Sequence, residues 1–385
     1  MPVDEALYEY ATDVERRALD AIKEHGSGKA AERALGLGSD TINKAVRRVR
    51  ERAAKSGYAP GHFEWGTAPG YHMGKVTVQR GADGEVERVW ERQHPDQARL
   101  AEAMEEAVAA MAASIPRASP VTAPAITSDD LTTLYTLTDA HIGAFGWHRE
   151  GGADWDLRIA EDVIAGCFQE AIRSAPASSL GILNQLGDLL HYDGLSAVTP
   201  TSGHILDADG RFTKMVEVAV RVLRRIVAMM LEKHQSVHLI LAEGNHDIAS
   251  SVWLRTMFKA LYENEPRITV DDSALPYYAY EFGDVGLFFH HSHLRKFNEI
   301  GRLIPAQFPE IWGRTKKRYC HTGNLHHERS KDEAGLVIVQ HPTLAARDAY
   351  GARGMWHSLR AMTATTYHRD FGRIGEVMVC PEMIQ

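Results

Sequence analysis

The chain has 385 residues, 44% hydrophobic and 24% charged, with 43 Lys and Arg against 51 Asp and Glu for a net charge of −8; this is the balance of a folded globular protein and excludes a disordered chain or a generally basic nucleic-acid coat. Three scattered cysteines, Cys167, Cys320 and Cys380, exclude a disulfide framework and a thiolate zinc knuckle. No apolar run approaches a membrane span and the N-terminus has neither a basic nor an apolar signal region, so the expectation is a cytoplasmic, two-domain protein with no membrane partner.

In chain order, residues 14–25 carry Val14, Ala18, Leu19 and Ile22 at helical spacing, and Gly26 follows as a stop. A second short helix is expected over 28–35 with Ala30, Ala31, Ala34 and Leu35 inward. Gly36-Leu37-Gly38 then turns the chain into Ser39 or Asp40 as N-cap of a third helix over 41–55. This third helix places Ile42, Val46 and Val49 on one face and six Lys or Arg against Glu51 on the rest, a net of +5. Helix, short helix, glycine turn and basic helix make a helix-turn-helix, whose last helix enters the major groove. Residues 71–92 alternate as two strands about an Asp83-Gly84 turn, which would form a wing. The expectation is a small winged helix-turn-helix-like DNA-binding domain over 1–92, with Lys44, Arg47, Arg48 and Arg52 meeting phosphates. The plainer alternative is a helical cap with a solvated basic face; the first 92 residues hold as many acids as bases, so the DNA reading rests on one helix. Gly26-Ser27-Gly28-Lys29 imitates a phosphate loop, but Lys23 stands where the first glycine is required and Ala30 where a hydroxyl would hold Mg²⁺.

Residues 93–130 are expected to hold a helix from about 95 to 115 and a Pro/Ala linker that bounds the domains. Beyond them strands at 131–138, 180–186 and 237–242 alternate with helices at 154–173 and 214–234, which predicts an α/β layered sheet. Strand signals at 277–281, 285–290, 318–321, 336–339, 362–368 and 376–379 predict a second, more antiparallel sheet.

The polar residues gather just past the strands. Strand one runs into Asp139 and His141, strand two into Asp188, strand three into Gly244-Asn245-His246-Asp247. Functional groups of open α/β sheets collect at the carboxyl ends of strands, so these three clusters should meet in one site. Carboxylate, imidazole and carboxamide suit Mn²⁺, Fe or Zn²⁺ rather than soft metals.

With His290-His291-Ser292-His293 and Gly323-Asn324-Leu325-His326, the order resembles the calcineurin-like metallophosphoesterase superfamily, whose signature is Asp-x-His, Gly-Asp, Gly-Asn-His-Asp/Glu, a histidine, then Gly-His-x-His. Asp139-Ala140-His141 and the Gly187-Asp188 motif look most like its DNA-repair exonuclease branch. The N-terminal helix-turn-helix and the tail over 343–372 look like phage- or prophage-encoded members. The resemblance implies a four-layer αββα sandwich of two mixed sheets over 131–385. It also implies two divalent cations, Mn²⁺ first among Fe, Zn²⁺ and Mg²⁺. Asp139, His141 and His326 would hold one, Asn245 and His291 (or His290) the other, with Asp188 between. Two such ions sit roughly 3.5–4 Å apart and activate water against phosphorus, so a carboxylate between them relieves their repulsion. His246 would stabilise the transition state or protonate the leaving oxygen, oriented by Asp247. Asn324 replaces the first histidine of the last motif and is a weaker donor, with His321 and His327 nearby as substitutes.

The loop over 191–211 offers His191, Asp193 and His204, with His191 and His293 as candidate substrate contacts. Trp147, Trp155 and Trp312 are expected to pack, and His62, His72, His94, His238 and His368 to be ordinary. No Ser elbow, Cys/His pair or dinucleotide fingerprint appears. The function expected is a metal-dependent phosphodiesterase, a DNA nuclease. The alternatives are a DNA-binding regulatory or assembly protein with a weakened site, or an enzyme for nucleotides and small phosphoesters.

Overall fold

The computed structural model describes residues 3–59, 63–64, 71–80, 86–95, 121–200 and 203–384. The chain divides into two compact units, Met1–Glu106 and Ala107–Gln385.

The first unit holds α1 (Asp13–His25), α2 (Gly28–Ala34) and α3 (Thr41–Lys55). Their apolar faces close on Leu7, Leu19, Ala31, Ile42, Val49 and Ala53. Gly26-Ser27 is a pair of caps rather than a phosphate loop: Gly26 ends α1 at φ +79°, and the Ser27 hydroxyl accepts from the Ala30 N–H to begin α2. Asp40 precedes α3 at φ +64° without capping it. The cap comes instead from buried Glu32 of α2, whose carboxylate accepts from the N–H groups of Asp40 and Ile42. Two strands follow, β1 (Tyr71–Arg80) and β2 (Val86–Pro95), paired antiparallel. The expected Asp83-Gly84 turn, His62 and the helix over 95–115 lie outside the described residues.

In the second unit, β3 (Ser128–Leu137), β4 (Ser178–Leu186), β5 (Ser236–Ala242) and β6 (Ile268–Val270) pair in parallel in that order. They are joined through α4 (Leu157–Ser174), α5 (Phe212–Lys233) and α6 (Ile248–Leu261). Parallel neighbours need crossovers, and right-handed crossovers stepping in one direction leave every helix on the same face. Tyr135, Leu137, Leu183, Leu239 and Leu241 meet those helices. Their alternates Leu134, Ile182, Leu186 and Ile240 point the other way and pack on a second sheet through Tyr278, Val285, Leu287 and Phe289.

That second sheet is built from β7 (Tyr278–Phe282), β8 (Val285–Phe289), β9 (Lys317–Thr322), β10 (Arg329–Glu333) and β11 (Leu336–Gln340), in the order β10-β11-β9-β8-β7. Its outer face is covered by α7 (Phe297–Gln307) and α8 (Pro309–Arg314) through Phe288, Ile300, Ile304, Phe308 and Trp312. The layers are therefore helix, sheet, sheet, helix, and both sheets are mixed. The second sheet is less antiparallel than expected, since β8–β9 and β9–β11 are parallel. The last two strands, β12 (Met362–His368) and β13 (Gly372–Val379), also move: they extend the first sheet, because β3 begins the parallel run and leaves an open edge that β12 fills antiparallel. Among the described residues no helix is long and apolar enough to cross a membrane.

Candidate metal centre

The loops leaving β3, β4, β5, β8 and β9 at their carboxyl ends turn sharply and bring their polar residues together. Asp139, His141, Asp188, Ser292, Asn324 and His326 all have φ between +41° and +84°, six of the nine non-glycine residues with positive φ among those described. Left-handed backbone costs an L-residue roughly 1–2 kcal/mol, and such strain concentrates where chemistry dictates the direction of a side chain. Two glycines permit the close approach. A Cβ on Gly244 would fall 1.9 Å from Asp188 Oδ1, and one on Gly323 would fall 2.0 Å from Thr138 Oγ1.

Two clusters result. Asp139, His141 and His326 form the first, with Asp139 Oδ1 and His141 Nε2 each 3.2 Å from His326 Nε2. Asp139, Asp188 and His291 form the second; His291 Nε2 lies 3.2 Å from Asp188 Oδ2 and 3.8 Å from Asp139 Oδ1. Asp139 belongs to both groups, and Asp188, the carboxylate expected between the cations, belongs to the second. His291, not His290, enters the cluster; His290 Nδ1 bonds the Pro276 carbonyl instead. A third cluster, His141, His191 and His246, adjoins the first.

The electrostatics suit a cation. Asp139 Oδ1 and His291 Nε2 are buried with ion-pair neighbours at 3.2–3.8 Å but no hydrogen bond of good geometry, an arrangement that is costly for buried polar atoms. Burial raises the Asp139 carboxyl, yet His326 and His291 overcome this and hold it at about 2. Asp188 is held well below the usual range in the same way, burial being outweighed by His291. Burial, then His246, drives His141 far down, and the same two causes bring His191 to about 4. His291 rises to about 10: burial lowers it, and Asp188 and Asp139 more than reverse that. Ionised carboxylates beside neutral imidazoles fit divalent cations, and the proton on His291, which occupies the place of positive charge, leaves when metal enters.

Supporting bonds come from Asn324 of the last motif and from two threonines that no motif announced. Asp139 Oδ2 accepts from the Thr138 hydroxyl at 2.6 Å and the Asn324 N–H at 2.9 Å. The Thr343 hydroxyl donates to the Asp139 carbonyl at 2.6 Å. Thr138 was legible as a neighbour of Asp139, whereas Thr343 lies 204 residues away in sequence and gave no signal.

Several expected roles change. Asp247 does not orient His246. Its buried carboxylate accepts the N–H groups of Gly244 (2.9 Å), Asp188 (3.3 Å), Leu189 (2.7 Å) and Leu190 (3.2 Å), tying the loop after β5 to the loop after β4. His246 is oriented by a backbone group: its Nδ1–H donates to the His191 carbonyl at 2.7 Å, which leaves Nε2 for the cavity. Asp193 accepts from the Ala249 and Ser250 N–H groups and so caps α6 rather than facing substrate. His293 sits behind His291, 3.8 Å from Glu243, with 6% of its side chain exposed. Ser292, at φ +84°, turns the chain there. His321 is consumed inside the sheets by His341 and Tyr367, so it does not substitute for the histidine that Asn324 replaces. His327 is exposed at the cavity edge with its Nδ1 on the Leu325 carbonyl. Trp155 and Trp312 pack as expected, but Trp147 is 43% exposed.

Asp188, Asn245, His246, Asn324, His326, His191 and His204 line one cavity of about 1280 Å³. In the first unit, Lys44, Arg47 and Arg48 are exposed on α3. Arg52 is half-exposed as well but is committed within the unit: its guanidinium forks onto buried Glu15 at 2.8 and 3.0 Å and also reaches the Tyr10 carbonyl. The period of α3 turns Arg52 toward α1, so it staples the helices.

No family model matches the chain, and no curated protein matches it. Solved structures do. YfcE, a phosphoesterase from E. coli, is 12% identical, with 64% of this chain and 98% of that chain covered at a TM-score of 0.32. A novel archaeal phosphodiesterase is 9% identical over 64% of this chain and 99% of that one, TM-score 0.33. A dimetal phosphatase from Danio rerio is 8% identical over 65% and 98%, TM-score 0.32.

Proposed function

We propose that the chain is a metal-dependent phosphodiesterase acting on nucleic acid, DNA first, with two divalent cations, Mn²⁺ foremost. The observation that carries this reading is the convergence of Asp139, His141, Asp188, His291 and His326, with Asp139 Oδ1 and His291 Nε2 buried between them without a hydrogen bond. Cations held by these groups, with Asn245 and Asn324 at the rim, would supply Lewis acidity to a phosphoester and to the attacking water. The chain's own contribution is orientation and a proton. His246, aligned through the His191 carbonyl, presents Nε2 to the cavity, where it can protonate the leaving oxygen. The orientation survives substrate changes because it rests on backbone. Exposed Lys44, Arg47 and Arg48 support a role for the first unit in meeting phosphates; the winged helix-turn-helix assignment belongs to the same proposal.

The test is hydrolysis by the full chain with Mn²⁺ of a small phosphodiester and of labelled DNA, alongside metal analysis of two variants. His246→Ala should keep its cations and lose turnover; Asp188→Ala should lose cations and turnover together. Cation-loaded protein that cleaves neither substrate while still binding DNA would overturn the enzymatic reading in favour of a regulatory or assembly protein.

A further inference from the structure

One wall of the cavity is apolar and aromatic, and the chemistry above does not use it. Tyr350, Met355, Trp356 and Leu359 line the same cavity as Asp188 and His246 while remaining 71%, 79%, 57% and 83% exposed. Four large apolar side chains open to water beside one another mark a binding surface in a folded protein. The segment is braced rather than loose. Asp348 caps the short helix Ala349–Arg353 through the Gly351 N–H, and the Tyr350 and Trp356 rings meet edge to face with centroids 5.2 Å apart. Arg347 bonds the Gly151 carbonyl, the Trp356 carbonyl and His357. A Cβ on Gly354 would lie 2.9 Å from the Trp356 indole, so glycine is what lets that ring lie flat on the turn. Met355 holds φ +56°, a strained conformation kept at a functional edge.

A polar group completes the wall. Arg360 lines the cavity together with Glu382, whose charge acts on it; its guanidinium lies over the Trp155 ring, its Nε–H donates to the Leu344 carbonyl, and its Nη2 is buried without a hydrogen-bond partner. Aromatic faces with an unused guanidinium N–H beside a phosphodiester site fit a heteroaromatic base, which offers both a π-face and edge acceptors. The volume agrees, because about 1280 Å³ exceeds the roughly 300–1,000 Å³ of a pocket for one small ligand.

We propose that the wall formed by Tyr350, Met355, Trp356, Leu359 and Arg360 is a seat for an unstacked nucleobase, so that the substrate is a single-stranded or frayed nucleic acid end, not the interior of a duplex. The seat rests on the phosphodiesterase reading for its substrate, but not for its binding. A base in a duplex is already stacked on both faces and cannot enter without being unpaired.

The test separates the two. The full chain, in buffer free of divalent cations, is titrated with oligothymidylate, with the matching oligouridylate and with an abasic strand of equal length, while tryptophan fluorescence is read. Trp356→Phe and Trp356→Ala identify the contribution of this ring among seven tryptophans. The base-bearing strands should quench and bind about 5- to 150-fold tighter than the abasic strand. The Trp356→Ala variant should lose that preference, and the relative affinity of the two base-bearing strands assigns DNA or RNA. With Mn²⁺ present, the same preference should appear in KM for cleavage. Equal binding of base-bearing and abasic strands, or quenching by phosphatidylserine vesicles and not by oligonucleotides, would overturn the seat. Quenching lost in Trp356→Ala with no hydrolysis of any strand would leave the seat standing and overturn the phosphodiesterase reading.

Discussion

The reassignment of Asp247 gives the sharpest test. If its carboxylate braces two loops, Asp247→Ala strands four backbone N–H groups in a buried place. Two of the bonds are short, those from Gly244 at 2.9 Å and Leu189 at 2.7 Å, and two are long, at 3.2 and 3.3 Å. Counting only the short pair, at about 1.5–3 kcal/mol for each bond to a charged acceptor, the loss is about 3–6 kcal/mol. A cost opposes part of this gain. Burial, then the nearby Asp188 charge, raises the Asp247 carboxyl to about 7, so its ionised form is under strain and the lower end, about 3 kcal/mol, is expected. For a domain of this size that is a fall in Tm of about 6–12 °C. Asp247→Asn keeps one acceptor oxygen and should fall by about half as much. The pH dependence supplies a second arm. An acid whose folded value lies above its unfolded one binds its proton more tightly when folded, so the contribution of Asp247 to stability falls as pH rises from about 4 to 7, against the rise that the depressed histidines such as His141 and His191 give over the same range. Asp247→Asn, uncharged throughout, removes the falling component and should leave a steeper rise with pH than the cation-free wild type shows. Differential scanning calorimetry and metal analysis on the three proteins decide the matter. An Asp247→Ala protein with unchanged Tm and full metal content, but turnover reduced a hundredfold, would refute the brace and restore Asp247 as the partner of His246.

Three further outcomes are expected. Mn²⁺ at a hundred times its Kd should stabilise the wild type by about 2.7 kcal/mol, and Asp139→Asn, which removes the carboxylate shared by both clusters, should abolish most of that gain in thermal melts. In the first unit, the Arg52 guanidinium and then the Thr12 bonds, against the cost of burial, hold Glu15 at about 2. Its contribution is therefore complete above pH about 4.5 and lost as pH falls toward 2; Arg52→Ala, discounted for the half-exposed arginine, should cost about 2 kcal/mol at pH 7 and flatten the acid limb of the unfolding curve. The triple variant Lys44→Ala, Arg47→Ala, Arg48→Ala should shallow the salt dependence of duplex DNA binding by at most about 2.7 in log–log slope, whereas adding Arg52→Ala should take away stability and no further slope.

What was readable in the chain and what was not divide along sequence distance. Each ligand loop carries its message in three or four consecutive residues: Asp139-Ala140-His141 follows an apolar strand, and Gly244-Asn245-His246-Asp247 follows another. Once parallel strands are inferred, their carboxyl ends must gather on one side, so the meeting of Asp139, Asp188 and Asn245 needed no knowledge of distances, whereas His291 and His326, on a sheet expected to be more antiparallel, were placed by the family resemblance alone. The hidden features depend on pairs. Glu32 caps α3 from 10 residues before Ile42, Glu15 meets Arg52 across 37 residues, and Asp247 reaches Leu189 across 58. A carboxylate reads the same in a sequence whether it faces an imidazole, a guanidinium or a row of amides. The assignment of β12 failed for a related reason, since Met362–His368 alternates like any half-buried strand and its pairing with Thr132–Thr136 depends on which edge stands open. The same logic explains why the segment over 350–359, though part of the tail that carried the family resemblance, gave no sign of a binding wall: Trp356 and Leu359 look like core residues until the fold leaves them facing water. An exposed apolar residue is informative only against a known surface, and here that surface lies beside the carboxylates that the strand ends had already gathered.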